Sequence, residues 1–182
     1  MLKGREIRLS ARDRLVDMFG APPSGSGLSV FTVYNESQFR DTTFTPNANA
    51  PYIFILDADV MPVDTRLPLI VIENAWRKRR SFEIGNRNGR FVRMFFNVFG
   101  KNRAERDDLA DFIGDYFGNT ITIKSYSEAD PTGTAVETAV IEDEIVVEAM
   151  NISGPVQGRQ EIEFGGDLIN WARIRLEFQC KL

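Results

Sequence analysis

No histidine occurs anywhere in the 182 residues. Its absence removes the side chain that titrates near neutral pH, and with it the usual general base, the Ser-His and Cys-His nucleophile pairs and most zinc sites. Cysteine is almost as scarce: Cys180 alone cannot close an intramolecular disulfide, so no oxidising compartment is implied. No apolar run approaches the roughly 20 residues that a membrane helix needs. The opening stretch, MLKGREIRLSARDRL, lacks the apolar region of a secretory signal. The expectation is a product that stays inside a cell or is assembled there, without a membrane partner.

What remains for chemistry is thin. Asp57 and Asp59, or Glu142-Asp143-Glu144, have the oxygen ligands a hard cation takes. Neither group has the spaced loop, glycine and bidentate glutamate of a calcium site. Gly85-Asn86-Arg87-Asn88-Gly89 lacks the GK[ST] ending of a phosphate loop and reads as a turn. Cys180 falls on the apolar side of the last strand and reads as a small buried hydrophobe. No enzymatic activity, metal or cofactor is expected, and a metal-dependent hydrolase centred on Asp57 and Asp59 is the rival reading in that class.

Present instead are an ordinary apolar share of 43% and 26% charged residues, which suit one globular domain over 1–182. Fourteen phenylalanines exceed what one small core needs and suggest further packing surfaces. The net charge of -4 argues against a general nucleic-acid coat, but the charges are segregated. Between Trp76 and Arg106 lie ten Lys/Arg against Glu83 and Glu105; between Asp107 and Glu148 lie eleven Asp/Glu against Lys124. Each block is either a solvated face or half of a contact between copies. Opposite patches meeting head to tail make a heterologous contact, which closes into a ring when the rotation allows.

Along the chain, Ser10 as N-cap, the stripe Ala11, Leu15, Met18, Phe19 and the stop at Gly20 predict a helix over 11–19. Strands are predicted over 28–34, 52–60 and 68–74. The polar stretch 35–51 reads as a long surface loop or arm, and 151–166 as a second. The strands RSFEIG and RFVRMFFNVF flank the Gly85–Gly89 turn as a hairpin. Asn102 and Glu105 form a capping box, opening a helix with the stripe Leu109, Phe112, Ile113, Tyr116, Phe117 and a stop at Gly118. A strand over 120–126, two short strands within 135–150 joined at Glu142-Asp143-Glu144, and an alternating final strand from Ala172 to Cys180 complete the reading. The fold class is α+β: a mainly antiparallel sheet with two packed helices and long polar loops.

Two features point to partners. On the strand after the turn, Val92, Met94, Phe96 and Val98 make one apolar face, while Phe91, Arg93, Phe95, Asn97 and Phe99 make the other. Three aromatics on that second face need a cover, from a further layer of the same chain or from another subunit. The run Trp76, Arg77, Lys78, Arg79, Arg80 puts cations beside an aromatic. It is the candidate nucleic-acid contact, or a charged strand edge, or one side of a subunit contact.

The segment LPLIVIENAWRKRRSFEIGNRNGRFVRMFFNVFGKNRAERDDLADFIGDYF, Leu67 to Phe117, resembles the core of small tail-terminator or neck proteins of tailed bacteriophages. The carriers are the apolar strand, the FEIGNR hairpin, the aromatic strand and the RDDLAD helix start; the final strand, Ala172 to Phe178, fits the same pattern. The resemblance implies a virion protein assembled in the host cytoplasm as a hexameric ring at the head-proximal end of the tail. There it would end tube growth and join the tail to the head connector, with itself, the tube protein, the sheath where there is one, and connector proteins as partners. DNA would only pass through the ring. Expected subunit contacts are Arg80, Arg87, Phe91, Arg93, Phe95, Phe99, Arg103, Asp107, Asp108 and Asp111.

Overall fold

The computed structural model describes residues 4–57, 64–81, 88–118, 120–126, 136–153, 162–164 and 167–180. The element order is α1 (Gly4–Gly20), β1 (Thr32–Tyr34), α2 (Glu36–Arg40), β2 (Tyr52–Leu56), a 3-10 turn at Asp64–Arg66, β3 (Leu69–Ser81), β4 (Asn88–Gly100), α3 (Arg103–Tyr116), β5 (Thr120–Tyr126), β6 (Val136–Ser153), β7 (Ile162–Phe164) and β8 (Asp167–Cys180). The architecture is α+β.

One sheet runs β1-β2-β3-β4-β8-β6-β5, with short β7 pairing β8. It is mixed. β1, β2 and β3 are parallel neighbours, whereas β3-β4, β4-β8, β8-β6 and β6-β5 pair antiparallel. The parallel end explains why YIFIL has no polar alternation. Ile53 and Ile55 enter one core and Phe54 and Leu56 the other, so β2 is buried on both faces.

Helix α1 touches β1, β2 and β3 and also β5, which lies at the opposite end of the strand order. The sheet must therefore curl, with α1 bridging its two ends and α3 packed on β4, β8 and β6. The main core fills this concavity. Ile7, Ala11, Leu15, Met18 and Phe19 of α1 meet Leu109, Phe112, Ile113 and Phe117 of α3 over Ile70, Ile72, Met94, Phe96, Val98, Ile121, Ile123 and Ile174. A second core lies on the other face, where Tyr34, Phe39, Phe54, Leu56, Leu67, Leu69, Val71 and Phe99 pack together.

Several expectations need correction. α1 begins at Gly4, because Ile7 extends the apolar stripe one turn upstream. Ser10 is therefore a buried residue inside the helix and not its cap. Of 28–34 only Thr32–Tyr34 is strand. The 35–51 arm contains α2, whose Asn35 and Gln38 form a complete capping box, and the arm is tied down rather than free. The Arg66 guanidinium donates to the carbonyls of Gln38 (2.7 Å), Asp41 (2.6 Å) and Phe44 (3.2 Å) and lies over the rings of Phe39 and Phe54. Two short strands were expected within 135–150, yet Val136–Ser153 is one strand that changes partner midway, from β5 to β8. Within 151–166, Asn151–Ser153 belong to β6 and Ile162–Phe164 to β7; the remainder lies outside the described residues.

The hairpin forms, pairing from Ser81↔Asn88 back to Leu69↔Phe99 with a bulge between Glu73 and Trp76, but Asn88 and Gly89, expected in its turn, belong to β4 and pair with Ser81 and Arg80. Its turn residues Gly85, Asn86 and Arg87 lie outside the described residues. α3 also forms as read. Asn102 accepts from the Glu105 amide at 2.9 Å, but the Glu105 carboxylate takes the Lys101 amide at 2.6 Å, one residue earlier than a capping box requires. The helix closes at Gly118, φ +88, the left-handed position that favours glycine. Arg14 of α1 donates to the carbonyls of Phe117 (3.3 Å) and Tyr116 (3.4 Å), so a cation sits at the negative end of α3.

Candidate interaction surface

The second face of β4 answers the question its phenylalanines posed. Phe99 is 6% exposed and belongs to the second core, covered by its own chain. As a subunit contact it is corrected: its apolar surface is already used by the protomer. Asn97 is also buried and donates to Glu73 Oε1 at 2.7 Å. Phe95 is half-buried. Phe91 and Arg93 continue the strand away from that core, and their side chains lie outside the described residues. The ladder sets Arg93 opposite Glu177 and Phe95 opposite Arg175 on β8.

The α3 residues divide by helical position. Asp108, Asp111 and Asp115 are exposed, and their i, i+3, i+7 spacing makes one acidic stripe facing solvent. Asp107 is turned to internal pairing: it takes the buried Arg106 guanidinium at 2.8 Å and lies 3.6 Å from the exposed Arg103. Arg106 and Asp115 were not singled out from sequence. Position on the helix was the available signal for Asp115; nothing local marks Arg106 as buried.

The basic run Trp76–Arg80 lies on β3 beyond the reach of β2. The β2 ladder covers only Leu69–Val71 of β3, while β3 continues to Ser81. Among the described residues, no strand pairs the 72–81 stretch on that side. Arg77, Lys78, Arg79 and Arg80 pair across to Val92, Phe91, Arg90 and Gly89 of β4. Arg80 thus has a place on this edge, and Arg87 lies outside the described residues.

Asp57, half of the rival cation site, forms an ion pair with Arg8 of α1; Asp59 lies outside the described residues. An open cleft of about 400 Å³ forms where residues 48–51 of the arm meet Tyr52, Lys101 and Glu105. Its cation is engaged, with Lys101 Nζ 4.7 Å above the Tyr52 ring. At the root of the arm, hydrogen bonds from the Thr43 hydroxyl and amide hold the Asp41 carboxyl below the usual carboxylate range.

Among the described residues this geometry groups no three His, Cys, Asp or Glu that could hold a metal ion. What it offers is a surface of separated charges: an acidic stripe on α3 and a basic strand edge on β3. Comparison of the chain with protein-family models gives no match, and comparison with curated proteins gives none either.

Proposed function

We propose that this chain is a structural ring protein of a bacteriophage neck or tail, and not an enzyme. In that role it ends tube growth at the head-proximal end and joins the tail to the head connector within the virion. Its partners are further copies of itself, the tube protein, a sheath where the tail has one, and connector proteins. The observation that carries the reading is the Leu67–Phe117 segment. The described part of its tail-terminator-like sequence pattern lies on the long antiparallel hairpin β3-β4 and the capped helix α3, with the exposed acids Asp108, Asp111 and Asp115 on the helix and the basic run Trp76–Arg80 on β3. The resemblance implies a mainly antiparallel sheet, a reading supported by the antiparallel run β3-β4-β8-β6-β5.

The test is the mass of the purified protein and its appearance by electron microscopy. Closed rings, six-fold by the resemblance, are expected, and Arg93→Glu should weaken assembly while the protomer still melts cooperatively. A strict monomer, alone and with tail tube, overturns the reading.

The open side of β3 favours one second reading, a nucleic-acid contact through Trp76, Arg77, Lys78, Arg79 and Arg80. Counterion release then requires binding that weakens steeply with salt. Absent or salt-independent binding removes it.

A further inference from the structure

The sheet has two half-edges of opposite charge. On β3, the stretch 72–81 continues past the last β2 pairing at Val71. It carries Arg77, Lys78, Arg79 and Arg80 and, beyond Glu73, no acid. On β6, the ladder with β8 runs from Ser153↔Arg173 to Val146↔Gln179 and stops, although β6 extends back to Val136. The stretch 136–145 is held by β5 on one side only. On its β8 side no strand pairs it among the described residues. This stretch carries Glu137, Glu142, Asp143 and Glu144 and no cation. The two half-edges, 72–81 and 136–145, have the same length.

An unpaired strand edge presents a row of free N–H and C=O groups, a template for another strand. Charge decides which strand. Two basic edges repel, and so do two acidic ones, so neither half-edge suits an isologous contact with its own copy. A basic edge against an acidic edge satisfies both ladders and both charge sets.

We infer that β3 of one protomer adds along the acidic half of β6 of the next, so that the subunits share one continuous sheet through backbone hydrogen bonds. The occupant of each edge is a second copy of this chain. The contact is heterologous, so it propagates until rotation closes it. Backbone pairing supplies affinity, and the charges supply direction and register. The inference rests on the ring reading and gives it a joint.

The experiment compares three proteins by native mass measurement at low salt. Wild type should be oligomeric and dissociate as salt rises. Variant one (Arg77→Glu, Lys78→Glu, Arg79→Glu) has two acidic edges; variant two (Glu142→Lys, Asp143→Lys, Glu144→Lys) has two basic ones. Each alone should be monomeric, and their equimolar mixture should recover the oligomer. If either variant alone keeps the wild-type mass, or the mixture stays monomeric, the joint is overturned while the ring stands on the wild-type mass. A wild type that is monomeric both alone and with tail tube ends both. Should a triple variant not melt cooperatively, Arg79→Cys and Asp143→Cys, each with Cys180→Ser, are mixed and oxidised. A disulfide-linked heterodimer supports the joint, and its absence overturns it.

Discussion

The hydroxyl of Ser10, in the middle of α1, accepts the backbone N–H of Lys124 on β5 at 2.9 Å. β5 ends the strand order, so among the described residues no strand satisfies the amides on its outer side. A helix side chain does so here. One turn on, Asp13 accepts from the Tyr126 hydroxyl at 2.7 Å and lies 3.5 Å from Lys124 Nζ. α1 thus closes one end of the curved sheet, and self-association through β5 is discouraged while β3 and β6 keep open stretches.

Ser10→Ala should cost about 1–3 kcal/mol, because it strands a part-buried backbone donor as well as removing a bond. Urea denaturation measures this. A change within a few tenths of a kcal/mol would mean the Lys124 amide finds water instead.

Gly100→Ala should be more damaging than its size suggests. An added Cβ would stand 2.6 Å from the Arg106 amide nitrogen and 2.9 Å from the Asn102 carbonyl oxygen, both backbone atoms of the α3 first turn. The helix start must move, at a cost of about 1–3 kcal/mol or more. Gly20→Ala is the control: nothing lies within 4 Å of that position, and alanine favours helix. Thermal melts should shift down for the first and stay level or rise for the second.

Burial and the Asp13 carboxylate hold the Tyr126 phenol well above its usual pKa. The folded protein keeps this proton at a pH where the unfolded chain releases it. The corresponding stability is complete below about pH 10 and is lost as pH rises beyond it. Denaturation from pH 8 to 11 should show the fall, and Tyr126→Phe should flatten it. An equally steep fall in the variant would assign the effect to other groups.

Arg66→Ala should release the arm. Three carbonyl contacts and two ring contacts go at once, so residues 41–50 should become the first site of limited proteolysis, with a stability loss of about 2–4 kcal/mol. Unchanged protease resistance would mean that Tyr34, Phe44 and Phe54 anchor the arm alone.

The parts legible from sequence are those whose forces are local. Asn102 three residues before Glu105, and Leu109, Phe112, Ile113 and Phe117 at helical spacing, determine α3 wherever it sits, and the β3-β4 pairing follows from adjacent strands joined by a short turn. Likewise the separation of basic 76–106 from acidic 107–148 is a property of the chain itself. Folding decided what depends on distant partners. Phe99 called for a cover that its own strand could not name, and it shares a core with Phe54, Leu67 and Leu69 of the same chain. Ser10 looked like a cap until Lys124, 114 residues away, came to its hydroxyl. β6 read as two strands because its acids interrupt the apolar pattern, yet it is continuous because β5 holds one half and β8 the other. Periodicity and capping act over one or two turns and are written in neighbours, whereas which edge remains open is set by where other strands stop, and no local pattern records that.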